Sequence, residues 1–140
     1  MKKLTLIFAL ALATLTSFAQ EKTEGITITV ATDNFNNNEG KAMYALHTVD
    51  TFMKGPGIQN AEAKIEEGKV TVTFKNVTPG TYAIMLLHDA NENQKMDYDA
   101  SGMPKESYGM SGNDMSFGPP QFDSAKFEVA KEDLELNIRL

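Results

Sequence analysis

A Pro-Gly pair feeding an unbroken apolar run constrains this chain more than any other stretch: Thr78-Pro79-Gly80-Thr81-Tyr82-Ala83-Ile84-Met85-Leu86-Leu87-His88-Asp89. Pro at the second position and Gly at the third suit a type II turn, because Pro pre-sets φ and Gly accepts the positive φ required next. The residues that follow, 82–87, read as the most hydrophobic strand beyond the N-terminal segment. That strand ends in an acidic, Asn-rich stretch, 89–99, whose side chains are the strongest hint of chemistry.

Other stretches share the strand period. Residues 25–32 alternate apolar with β-branched polar side chains, as a strand with one buried face does. Residues 33–40 contain Asn34, Asn36, Asn37, Asn38 and Gly40 and read as a loop. Residues 41–49 form a second strand, apolar on both sides near its centre and so interior to a sheet. Gly55-Pro56-Gly57 interrupts regular structure across 50–60, where Phe52, Met53 and Ile58 are expected to fold back over the core edge. A weak strand at 61–66, a Glu67-Gly68 turn and an alternating strand at 70–77 lead to the Pro-Gly turn. From Asp89 to Gln121 the chain is polar and Gly-rich, and loops of that length are often functional. Alternation returns at 122–129 and 134–140. Nowhere do apolar residues hold helical spacing over three turns. The expected fold is therefore all-β, an antiparallel sandwich of about seven strands with one long ordered loop.

Residues 1–19 stand apart. Lys2-Lys3, the short apolar run 4–15 and Ser17-Phe18-Ala19 form a signal-peptide pattern, with cleavage expected before Gln20. The run is short for ~30 Å of hydrocarbon, and no stop-transfer charges follow it. The expectation is an exported chain, periplasmic or extracellular, with one domain at 20–140 and no membrane insertion after cleavage. Removing Lys2 and Lys3 from the 13 basic residues leaves 11 against 19 acidic ones, a net charge of −8. Such a chain repels nucleic acid and attracts divalent cations. The absence of cysteine excludes disulfides, thiolate metal sites and a lipid anchor on cysteine.

Pro79-Gly80-Thr81-Tyr82, with the strand to Asp89, is similar to the turn before a core strand in immunoglobulin-like or prealbumin-like sandwich modules of secreted bacterial proteins. A longer pattern is more specific. His88-Asp89-x-Asn91-x-Asn93 leads through Asp97 to Gly102-Met103-Pro104-Lys105-Glu106-Ser107-Tyr108-Gly109-Met110-Ser111, and then to Pro119-Pro120-Gln121-Phe122-x-x-Ala125-x-Phe127. Over residues 24–140 the chain resembles DUF2141, a family of exported bacterial proteins. The resemblance implies a β-sandwich and an envelope location, and it implies no reaction.

The candidate site is Asp89-x-Asn91-x-Asn93-x-Lys95-x-Asp97-x-Asp99. Oxygen side chains at alternate positions are how a short loop wraps Ca²⁺, which takes 6–8 oxygens. Asp89, Asn91 and Asn93 match positions 1, 3 and 5 of that pattern, Lys95 offers its carbonyl, and Asp97 falls at position 9. Gln94 stands where the pattern has Gly, and Ala100 where it has a bidentate Glu, so Asp99 or Glu106 is expected to substitute. The competing reading is that these residues cap their own turns. Gly109-Met110-Ser111-Gly112-Asn113 lacks the second Gly and the strand-to-helix setting of a nucleophile elbow. Met96, Met103, Met110 and Met115 suggest either Cu(I) with His88 or, more simply, gap-filling under the loop. Tyr98, Tyr108 and Phe117 either stack on sugar rings or anchor the loop. The expectation is a binding or structural module with a loop-bound Ca²⁺ and no catalysis. Its partner is expected to be a protein or polysaccharide of the cell envelope. The alternatives are a carbohydrate-binding module and a hydrolase using Asp89 and Glu106, whose carboxyl groups would have to face a cleft ~5–9.5 Å apart.

Overall fold

A computed structural model describes residues 25–116 and 118–140; the expected signal peptide and Phe117 lie outside the described residues. Eight strands and one helical turn follow in the order β1 (Ile26–Thr32), β2 (Lys41–His47), β3 (Gln59–Lys64), β4 (Val70–Val77), β5 (Gly80–Asp89), β6 (Tyr108–Met110), α1 (Phe122–Ala125), β7 (Phe127–Val129) and β8 (Leu134–Asn137). They form an all-β sandwich. One sheet runs β4-β1-β8, the other β3-β2-β5-β6, with β7 alongside the start of β5. In β1, Ile26, Ile28, Val30 and Thr32 point inward and the residues between them are half-exposed, as the period-two pattern requires. Ile28, Val30, Phe74, Tyr44, Leu46, Ile84, Leu86 and Ile138 fill the space between the layers. The phenol of Tyr44, buried among them, donates to Thr32 Oγ1 at 3.0 Å, so the core holds no orphaned hydroxyl there.

The structure departs from the sequence expectations at several points. β8 runs parallel to β1, pairing Ile28 with Leu134 and Val30 with Leu136, so the sandwich is not wholly antiparallel. The strand expected at 122–129 begins instead as α1. Phe122 and Ala125 are three apart, and one helical turn puts both against Phe52, Ala83 and Met110. Of the expected flap only Phe52 is buried, while Met53 and Ile58 are 57% and 49% exposed. The strand expected at 41–49 stops at His47, because Thr48 accepts from the amides of Thr51 and Phe52 in a turn. Gly80 does not take the positive φ of a type II turn and already belongs to β5. The left-handed residue is Asn76, φ 57°, where β4 carries an extra residue opposite Ile26–Ile28. Tyr82 closes the connection by donating its hydroxyl to the Thr78 carbonyl at 2.8 Å.

β5 organises the second sheet. One edge pairs with β2 from Ala83 to Asp89; the other carries β7 at 80–82 and β6 at 85–87. Between those two partners Ile84 faces a gap, and Ser111 fills it. The Ser111 amide donates to the Ile84 carbonyl (2.9 Å), its Oγ accepts from the Ile84 amide (2.9 Å), and its hydroxyl donates to the carbonyl of Ala125. One residue, through its amide and its hydroxyl, thus stands in for a missing strand pair and ties α1 to the sheet. Ser111→Ala leaves a buried N–H and a buried C=O unpaired, so urea denaturation is expected to show a loss of about 1–3 kcal/mol. An unchanged midpoint would mean that the brace contributes nothing.

Candidate functional site

The acidic stretch begins as the end of β5. Asp89 pairs with Lys41 across β2 and has no exposed surface. Gly40, just before β2, makes this approach possible. It sits at φ +63°, and a β-carbon there would collide with the backbone of Asp89 and Ala90. A buried carboxylate needs donors, and the loop supplies them. Asp89 Oδ1 accepts from the Asn93 amide (3.1 Å) and Oδ2 from the Gln94 amide (2.8 Å). The chain between them turns back through two left-handed residues, Glu92 at φ 56° and Gln94 at φ 64°.

Above this base, alternate residues converge on one partly exposed carboxylate. Asn91 Nδ2 donates to Asp97 Oδ2 at 2.6 Å, and Asn93 Nδ2 donates to both Asp97 oxygens at 2.9 and 2.8 Å. The carboxamide oxygens are also engaged: Asn91 Oδ1 accepts from the Asn93 amide (3.2 Å) and Asn93 Oδ1 from the amide of Lys95 (3.1 Å). Glu106 straddles the loop, taking the amides of Ala90 (3.1 Å) and Asp97 (3.2 Å) on its two oxygens. Asp99 lies apart from these groups. It caps a small hairpin in which Tyr98 bridges Pro104, accepting from the Ser101 amide (2.8 Å), the Ser101 hydroxyl (2.6 Å) and the Met103 amide (3.0 Å).

The structure therefore brings Asp89, Asn91, Asn93, Asp97 and Glu106 into one hydrogen-bonded loop, places Lys95 on its exposed side, and assigns Asp99 to a neighbouring turn. Among the described residues no three carboxylate or imidazole groups cluster as a metal site. Donors hold two carboxyls below the usual carboxylate range. For Asp97 these are the Asn91 and Asn93 amides, with Lys95 and Lys105 adding charge attraction. For Asp99 they are chiefly the Ser101 hydroxyl and the Met103 amide.

The other candidates are placed as follows. His88 faces inward, its Nε2 2.8 Å from the Glu39 carbonyl and its ring edge-on to Phe35, so it does not meet the methionines of the following loop. Met110 is buried, but Met103 and Met115 are 63% and 78% exposed rather than filling gaps. Tyr98 and Tyr108 are 59% and 37% exposed, not tucked into the core. Two residues have roles beyond the sequence expectations: Ser111, which sits in the stretch compared with a nucleophile elbow, and Gln94, which departs from the glycine of the Ca²⁺ pattern.

A family model described as an uncharacterized protein conserved in bacteria, DUF2141, matches residues 30–137. The match runs from the middle of β1 to the end of β8 and contains the whole acidic loop. No curated protein and no solved structure matches the chain significantly.

The depressed carboxyls set a pH response. Their ionised forms are favoured by folding, so the stability they add is complete above the ordinary carboxylate value of about 3.9. It is lost as pH falls through their lowered folded values. In an NMR titration, the Asn93 side-chain amide and the Met103 backbone amide are expected to hold their shifts down to about pH 4 and to move only below it. Movement centred near pH 6 would contradict this account.

Proposed function

The chain belongs to the DUF2141 family, and on that premise we propose that it is an exported β-sandwich binding or structural module whose 89–106 loop is braced by Ca²⁺. One observation carries the reading. Gln94 adopts φ 64° at the position where a Ca²⁺ loop has glycine for its sharp turn, so the backbone has the required shape although the residue type differs. Asp89, Asn91, Asn93 and Asp97 then fall at loop positions 1, 3, 5 and 9 around that turn. Rotating the Asn91 and Asn93 carboxamides about their last bond turns oxygen instead of N–H toward Asp97. Oxygen and nitrogen differ little in shape there, so the exchange needs little backbone movement. Glu106, beside both ends of the loop, is the candidate for the missing bidentate carboxylate.

The rotation has a cost, because it breaks the hydrogen bonds from the amides of Asn93 and Lys95 to those same oxygens. A cation offsets it by drawing several oxygens together and cross-linking the loop. The hydrolase alternative gains no support. Asp89 is buried beneath two amides and Glu106 accepts from two more, which leaves both carboxyls as braces rather than an acid and a base facing a cleft.

Thermal melts of metal-stripped protein test the reading. Calcium at a hundredfold excess over Kd adds about 2.7 kcal/mol, a rise in Tm on the order of 10 °C. Asp97→Ala is expected to abolish the response. Gln94→Gly should raise Tm without metal, since a left-handed non-glycine residue costs about 1 kcal/mol. Coincident melts of the stripped protein with calcium and with chelator would remove the proposal.

A further inference from the structure

Where β2, β5 and β6 pair at 43–45, 85–87 and 108–110, the outer face of the second sheet is apolar although solvent would ordinarily select polar side chains; at the β3 edge that face ends in Glu62 and Asn60. The register sets two rows across it. Met43 lies opposite Leu87, which lies opposite Tyr108; Ala45 lies opposite Met85, which lies opposite Met110. The loop beyond Asp89 rises beside this face. Met96, Tyr98, Met103 and Pro104 form one wall, and Met53 and Pro119-Pro120 contribute to the rest of the rim. Together they enclose a cleft of about 970 Å³, at the upper end of the range of small-molecule sites.

Its lining identifies the class of occupant. Five of the chain's eight methionines, Met43, Met53, Met85, Met96 and Met103, line this one cleft. Flexible, polarisable thioethers adapt to apolar shapes rather than select one. The only charged lining residue among those described is Glu62, which Lys41 neutralises at 2.8 Å. Among the described lining residues no cationic side chain waits for an acid, and the acidic chain repels one. The floor of Met43, Ala45, Met85 and Leu87 offers no hydrogen bond to a sugar hydroxyl; the polar side chains of Asn60, Glu62, Gln94 and Ser116 belong to the β3 edge and the surrounding loops. A sugar stacked on Tyr98 or Tyr108 would lie against thioether and alkyl groups. We propose that this cleft binds an aliphatic chain without an anionic end, such as the acyl portion of a neutral ester. None of the side chains proposed to hold a cation, Asp89, Asn91, Asn93, Asp97 and Glu106, lines this cleft.

The test uses purified protein and N-phenyl-1-naphthylamine, an uncharged dye that brightens in apolar surroundings. The dye is expected to bind and to be displaced by 1-octanol, 1-decanol and 1-dodecanol, each added methylene tightening competition about fourfold until the cleft is filled. Decanoate should compete at least tenfold more weakly than 1-decanol. Ala45→Trp, which fills the floor, and Met103→Asp, on the exposed wall, should each weaken the dye at least tenfold while circular dichroism stays unchanged. Any of the following overturns the proposal: no dye binding, equal competition by decanoate and decanol, preferential displacement by maltooligosaccharides, full affinity in both folded variants, or a dimer that excludes the dye by covering the cleft with a second copy.

Discussion

Burial of the Asp89 carboxyl is the constraint to which the fold and the loop both answer. It closes β5, the strand paired along both edges, and no part of it reaches solvent. A carboxyl there is tolerable only while donors surround it, and both donors come from the loop that follows, at Asn93 and Gln94. The loop cannot swing away without stripping them. Gly40 works from the other side, because only glycine lets the preceding segment press against Asp89 and Ala90 at positive φ. The polar stretch is therefore fastened to the sandwich at its root, and its outer residues elaborate a base already fixed.

The outer residues then divide the work. Asn91, Asn93 and Asp97 close one turn around a single carboxylate, and Glu106 spans it by taking amides from both sides. Asp99 caps a second turn on its own. This separation matters for any cation reading, because a charge-rich stretch is not a charge-rich site. Asp89, Asp97 and Asp99 each have their own local donors. What a cation would add is a substitution of oxygen contacts for amide contacts around Asp97, a smaller change than the ordering of a loose loop.

Much of the sandwich was legible in the alternation. β1 and β4 stand where period two put them, because each buries about one side chain in every two against the opposing layer, and β2 and β5 stand where the apolar runs put them. What was not legible depended on distant partners. The parallel pairing of β8 is decided by β1, more than a hundred positions away, and nothing local in Leu134–Asn137 records direction. The four residues of α1 turn because a hollow formed by Phe52, Ala83 and Met110 accepts Phe122 and Ala125 together. At the site, the residue types were readable but their grouping was not. Asp99 belongs with Ser101 and Met103 through hydrogen bonds that any Asp-x-Ser sequence can form or omit. Gln94 looked like a departure from a glycine position, yet its backbone takes the glycine conformation, held there by the Asp89 carboxyl that receives its amide.

The exposed apolar face had a sequence trace that was easy to misassign. Residues 41–49 are apolar on both sides, and interior placement in the sheet accounts for hydrogen bonding along both edges of β2, not for apolar side chains on its outer face. The second apolar side of β2 and β5 needs its own explanation, which the wall around Tyr98 and Met103 provides. That wall hangs from the hairpin fixed by Asp99 and by the Lys105 amide on the Asp97 carbonyl at 2.8 Å. The residues that hold the polar loop in shape thus also set the width of the cleft beside it. A ligand that stiffens either one stiffens a shared segment, and linkage then requires that each tighten the other by the same factor.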